Sequence, residues 1–228
     1  MYGGQMGVLR DVIDVLTNIN IIFYVVGYLM GGIPFGLLLT KIFFGIDVRS
    51  VGSGSIGATN VYRAVKEINP RSAKLFAACT ILLDATKGTI VIIVAKVFGL
   101  SFEAQWLIAI LCIVGHCYSP FLGFSGGKGV ATTIGSVILL MPIESLLGLV
   151  VWAFVGKVLK ISSLSSLLGV FTGLSLTFVI PSLFSLPACI DINAQIGSHT
   201  PVVLIGLFIL YTHIPNIKRL LRGEEKKI

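Results

Sequence analysis

The chain has 228 residues, of which 55% are hydrophobic and only 12% charged, with a formal net charge of +7 and a mean hydropathy of +0.98. A soluble fold of this length needs far more polar surface to cover its core, so the composition excludes one and points to membrane helices. The positive charge does not indicate nucleic acid, because the basic residues collect in the connections between apolar stretches.

Taken in chain order, apolar stretches run over 19–44, 75–98, 104–124, 130–142, 143–159, 164–186 and 201–213, against the ~20 residues that a spanning helix needs. The fourth and seventh are short enough to be re-entrant. Assigning the connections alternately to two sides puts Arg49, Arg63, Lys66, Arg71, Lys74, Lys128, Lys157, Lys160 and the tail Lys218–Lys227 on one side. Arg10 and Lys96 share the other side with Asp11, Asp14, Glu103, Glu144 and Asp191. The basic side is expected in the cytoplasm. The expectation is an all-α, polytopic membrane helix bundle of seven spans, with five as the fallback. Its N-terminus lies outside and its C-terminus in the cytoplasm. With no repeat or linker, residues 1–228 form a single domain, and residues 1–18 are a short outer segment. The first stretch is too long for a cleaved signal peptide and lacks a small-residue cleavage pattern. Its Gly27-xxx-Gly31 and Gly32-xxx-Gly36 spacings, with Pro34 between, predict a tight helix-packing face with a kink. Cys79, Cys112, Cys117 and Cys189 have no CxxC or metal spacing and are expected as free packing residues.

Four polar clusters interrupt this apolar background. The segment Gly52–Arg63 offers Gly52, Ser53, Gly54, Ser55, Gly57, Thr59 and Asn60, whose backbone N–H groups and side chains can converge on an anion, with Arg63 as a charge-assisted clamp. It matches G-x-G-x-x-G, but it follows a membrane span rather than a strand, so it is no dinucleotide fingerprint. Asp84 and Lys87 lie at i, i+3 inside the second stretch, on one helical face, where ionisable residues are costly enough that function is the default expectation. Gly115-His116 opens the third cluster, which closes on Gly126, Gly127, Lys128 and Gly129. Three glycines around one lysine form a backbone nest suited to phosphate, without the spacing of a Walker loop. In the fourth, His213 and Asn216 lie three apart, Pro215 disturbs their helix, and Glu224 and Glu225 follow. Lys218, Arg219 and Arg222 are expected to face headgroups. His199, in an outer loop over 186–200, carries no expected role.

Together these clusters resemble the PlsY family, the bacterial acyl-phosphate:glycerol-3-phosphate acyltransferases. The family pattern is matched in order by Gly32–Gly36, Ser53–Arg63, Asp84–Gly88, Gly115–Thr132 and His213–Arg219. Ser55 stands where Asn is usual, Ile214 where Arg is usual, and Glu224 precedes Glu225 where Thr-Glu is common. The resemblance implies a seven-helix enzyme of the bacterial inner membrane with its site facing the cytoplasm. It would transfer a fatty acyl group from acyl phosphate to the sn-1 hydroxyl of glycerol 3-phosphate, giving lysophosphatidate and phosphate. It implies Ser53, Arg63, Lys128, His213 and Asn216 in direct contact with substrate, and the glycines of both loops as phosphate donors. Asp84, Lys87, His116, Ser163, Ser166 and Glu225 would support them from behind. Ser53 and the Gly52–Gly57 backbone would take one phosphate, Lys128 and Arg63 its charge, and His213 and Asn216 the glycerol end. His213 is left open between base and hydrogen-bond donor. No cofactor is expected, nor a metal, because the inner-face acids Asp47, Glu67, Glu224 and Glu225 form no ligand cluster.

Other classes fit less well. A transporter of an anionic phosphometabolite would place such loops near mid-membrane, with inverted repeats. The D-G…D…D signature of CDP-alcohol phosphotransferases is absent. So is the H-x4-D box of acyl-CoA-dependent glycerolipid acyltransferases.

Overall fold

The computed structural model describes residues 14, 15 and 17–227, so most of the expected outer segment 1–18 lies outside the described residues. The described chain is all-α, with a single isolated bridge between Ser119 and Ser125. Helix α1 (Ile19–Gly32) starts at Asn18, whose side chain accepts from the Asn20 N–H, as N-caps do. It breaks at Ile33-Pro34, and α2 (Phe35–Phe44) leaves at a bend of 40°, because proline removes a backbone donor and crowds the preceding turn. The polar segment that follows is not all loop: Ala58–Ile68 forms α3. Val61, Ala64 and Val65 are buried on one side of α3, while Lys66 and Glu67 are exposed on the other, the pattern of a helix lying on a protein surface.

Next come α4 (Pro70–Val97), α5 (Phe102–Cys117), α6 (Val130–Val137), α7 (Pro142–Leu159), α8 (Ser162–Leu176), α9 (Ile180–Leu183), α10 (Ile192–Ile196) and α11 (Thr200–Leu221). Among the described residues, α4, α7, the run Ser162–Leu183 and α11 are long and apolar enough to cross a membrane, and the bent α1–α2 pair makes a fifth. Every one of the seven apolar stretches contains helix, but the third is shorter than its hydropathy suggests. Pro120 and Gly123, the latter at φ +61°, turn the chain after Cys117, so α5 reaches about 24 Å at 1.5 Å per residue.

Helix α5 is the central post. Trp106, Ile108, Ala109, Cys112 and Ile113 on it pack against Ile92 of α4, Leu140, and Ile205 and Ile209 of α11. Its apolarity on all sides is that of a helix buried among others. The packing face anticipated on α1 is real: a Cβ at Gly31 would overlap the Cys112 carbonyl oxygen, and one at Gly115 the Tyr28 carbonyl oxygen. The backbones of α1 and α5 are therefore close enough that only glycine fits. By contrast, Leu146, Val150 and Phe154 on α7 and Leu204, Leu207 and Tyr211 on α11 are exposed, as lipid-facing side chains must be. All four cysteines are free. On the other side of the bundle His199 stacks on Phe178, with ring centroids 4.0 Å apart, and its Nε2 lies 3.0 Å from the Thr177 carbonyl, a packing role.

Candidate active site

One cavity of about 400 Å³ opens where α3, α4, α6, α7, α8 and α11 meet. Its lining combines polar and cationic groups, among them Ser53, Arg63, Lys128, His213, Asn216 and Arg219, with apolar side chains, among them Ile81, Ile134, Leu149 and Trp152. These polar groups come from three separate chain segments, around 53–63, 128 and 213–219, and the fold brings them to one cavity.

The Gly52–Gly57 loop is held from inside by Asn60. Its Oδ1 accepts from the Ser53 N–H (3.1 Å), and its Nδ2 faces the carbonyls of Val48, Val51 and Ser55 at 2.8–2.9 Å. Asn60 lines the cavity, but its polar atoms are spent on the loop that presents Ser53. The Ser55 hydroxyl accepts from Gly57 N–H at 3.3 Å, which is the local use of the residue that replaces asparagine here. Thr59 meets Ser162 at 2.7 Å, tying α3 to α8. Arg63 has no ion-pair partner among the described residues.

Lys128 leaves the glycine loop between α5 and α6, its backbone carbonyl held by the Thr212 hydroxyl at 3.1 Å. Burial pushes its pKa down to about 8; Glu225 opposes this, and the cationic Arg219 and Arg63 add to it. Three cations around one cavity thus repel one another and invite an anion.

On α11, His213 and Asn216 are both buried and one turn apart. Pro215 lies inside α11 without ending it. The Nδ1 of His213 is 2.8 Å from the Ile209 carbonyl. A carbonyl only accepts, so Nδ1 carries a proton, and in the neutral ring Nε2 keeps its lone pair. Asn216 donates through Nδ2 to Glu225 Oε1 at 2.7 Å, and its buried Oδ1 has no hydrogen-bond partner among the described residues. Glu225 also accepts from Ser163 at 2.7 Å and from Arg219 Nε at 2.6 Å. Burial raises its pKa, but these three hydrogen bonds outweigh it and keep the carboxylate ionised. Ser166 and Gly129 line the cavity as well.

Behind this lining, Lys87 lies within 2.9 Å of Asp84 Oδ1 and of His116 Nδ1, and 3.0 Å from the Ile33 carbonyl at the α1–α2 break. Asp84 and His116 reach the cavity; Lys87, Gly54, Gly126 and Gly127 do not line it. Arg219 is the residue the sequence reading missed. Expected on a headgroup-facing tail, it lies in the cavity wall and pairs with Glu225. Its position three residues beyond Asn216 was the available signal, since residues three apart are neighbours on a helix surface.

The glycerol-3-phosphate acyltransferase family model matches residues 21–223. A glycerol-3-phosphate acyltransferase of Helicobacter hepaticus is 62% identical, covering 98% of this chain and all of that protein. One of Helicobacter pylori is 53% identical, covering 96% of this chain and all of that protein. The crystal structure of PlsY, an integral membrane glycerol 3-phosphate acyltransferase in its glycerol 3-phosphate form, superposes with a TM-score of 0.77 at 32% identity. The match covers 92% of this chain and 95% of that one; the lysophosphatidic acid form gives 0.73 at 31%. With the family pattern, the fold and the multi-pass membrane architecture all matched along nearly the whole length, the chain belongs to the glycerol-3-phosphate acyltransferase family, in its PlsY branch.

Proposed function

We propose that this enzyme takes its acyl group from a fatty acyl phosphate, delivers it to the sn-1 hydroxyl of glycerol 3-phosphate, and releases lysophosphatidate and inorganic phosphate. The observation that carries the reading is the mixed lining of one cavity, where cationic side chains and a glycine-rich loop join Ile81, Ile134, Leu149 and Trp152. An acyl phosphate needs both kinds of surface. Ser53 and the Gly52–Gly57 backbone hold one phosphate, and Lys128 and Arg63 neutralise the charge that builds as the acyl–oxygen bond to phosphate breaks. His213 Nε2 and Asn216 Oδ1 are acceptors side by side, suited to the hydroxyl donors of glycerol, and Glu225 prevents the Asn216 amide from flipping. The hydroxyl oxygen forms the new ester bond, the phosphate leaves with the electron pair, and the hydroxyl proton passes to a phosphate oxygen of the donor. Ser163 and Ser166 support this lining from α8.

A purified sample in lipid, given glycerol 3-phosphate with either palmitoyl phosphate or palmitoyl-CoA, is expected to make lysophosphatidate and equimolar phosphate from the first donor, in the presence of a chelator. Activity supported only by acyl-CoA, or abolished by chelation and restored by magnesium, would overturn the donor assignment.

The same reading places the enzyme in the bacterial inner membrane as one domain of seven spans, α5 and the α6 segment crossing alongside the five longer candidates. The cavity residues Arg63, Lys128 and Arg219 all come from the basic side of the alternation, which supports a site facing the cytoplasm. A reporter fused after Ile228 is expected inside and one at Met1 outside; both on one side refutes an odd number of spans.

A further inference from the structure

Substrate contact does not account for the buried Asp84–Lys87–His116 group, because Lys87, which joins the other two, does not line the cavity that Asp84 and His116 reach, nor does charge neutralisation require a histidine. The donor count accounts for it. An ammonium has three N–H bonds, and Lys87 has three acceptors, Asp84 Oδ1, the Ile33 carbonyl and His116 Nδ1, all at 2.9–3.0 Å. His116 Nδ1 therefore accepts, and the ring proton sits on Nε2.

That edge of the ring meets the phosphate loop. A Cβ placed on Gly127 would overlap His116 Nε2, with Cε1 and Cδ2 behind it at 2.9 and 3.0 Å. The two carbons are nearly equidistant, so the ring points edge-on at Gly127. The Gly127 N–H donates to the His116 carbonyl at 3.1 Å, and a Cβ on Gly126 would overlap that same carbonyl oxygen. The two glycines thus wrap His116 front and back, and the next residue is Lys128. No protein acceptor faces Nε2 among the described residues.

We propose that His116 is a positioning residue for Lys128: the Asp84–Lys87 pair fixes the imidazole in one tautomer and orientation, and the ring edge is the former around which Gly126-Gly127 folds, so that Lys128 enters the cavity. This deepens the phosphate-binding reading above and rests on it. Its consequence for catalysis is that His116, protonated at Nε2 and engaged at Nδ1, is no general base.

The test uses the full-length protein and two substitutions that fit each other. In His116→Asn the Oδ1 stands where Nδ1 stood and keeps Lys87 paired, but the outer half of the ring is gone. Gly127→Ala alone drives a methyl group into the ring and should lower kcat by about 10²-fold, the order expected for a group displaced by an ångström. In the double variant the methyl occupies the space the ring vacates, so kcat should recover by at least about 10-fold over Gly127→Ala, a coupling that independent defects do not show. His116→Asn alone should also move the basic limb of kcat/KM upward from about 8 towards the ordinary lysine value of ~10.4, as the loosened loop lets water reach Lys128. The other charged and titratable groups that line the cavity with Lys128, namely Arg63, Asp84, His213, Arg219, Glu224, Glu225 and Lys226, are unchanged in these variants, so the limb reports solvation rather than a lost neighbour.

A double variant no better than Gly127→Ala, or a limb that stays in place in His116→Asn, overturns the proposal. If neither variant folds, ¹⁵N-histidine labelling of the wild type decides, because the chain has only three histidines. A proton found on Nδ1 of His116 overturns it, and one on Nε2 upholds it. Wild-type inactivity with acyl phosphate would sink the donor assignment instead, and the same ratios would then be read with whichever donor works.

Discussion

Replacing Lys128 or Arg63 by alanine should lower kcat/KM by at least about 10²-fold each, the scale on which removing one preorganised charge-stabilising group acts. His213→Gln, which keeps a hydrogen-bonding group, should cost less. The reason is where the proton goes. If a phosphate oxygen of the donor receives it, the protein's main task is to stabilise negative charge, and Lys128 and Arg63 face the cavity with no ion-pair partner among the described residues. The pH profile carries the same signature. Lys128 is held down to about 8 chiefly by burial, so it is mostly charged at neutral pH and loses that charge as pH rises through that value. In the free enzyme this gives kcat/KM a falling limb near pH 8, which Lys128→Arg removes because a guanidinium stays charged. Steady-state kinetics in lipid check both parts. His213→Gln as the most severe single change, together with loss of an ionisation near neutrality, would make His213 the general base, a task its Nε2 lone pair permits.

Lys87→Met should cost about 3–5 kcal/mol of stability, the range for removing one partner of a buried pair and stranding the other charge. Lys87 is only 2% exposed and Asp84 3%. The change also strips a donor from the Ile33 carbonyl, leaving it the Phe35 N–H at 3.2 Å. Asp84→Asn combined with Lys87→Met removes both charges and should regain more than half of the loss. Unfolding in detergent, followed by thermal midpoint or denaturant, measures it. A double variant as unstable as the single one would mean that the cost comes from packing and not from the stranded carboxylate.

Much of this protein was legible in one dimension. Lipid leaves a backbone no partner but itself, so crossing it takes long apolar helices, and each of the seven hydropathy stretches contains helix. The glycine-rich loops, the unpaired basic residues and the His213/Asn216 spacing could be recognised because their chemistry is local: each cluster spans 15 residues or fewer. The Gly27-xxx-Gly31 face was equally readable, since close helix approach needs absent side chains at one spacing.

What only the tertiary structure decided are relations between distant segments. Asn60 resembled a ligand of substrate until the loop closed over it and took every polar atom it has. Arg219 resembled a headgroup anchor until α11 turned its face to the cavity. Lys87 meets partners 54 and 29 residues away, at Ile33 and His116, and nothing in the intervening sequence encodes that meeting. Hydropathy measures only whether a residue tolerates apolar surroundings. A residue facing lipid and one packed against another helix score alike, so the central position of α5, its early end at Cys117, and the wrapping of Gly126-Gly127 around one imidazole emerge only when the helices pack.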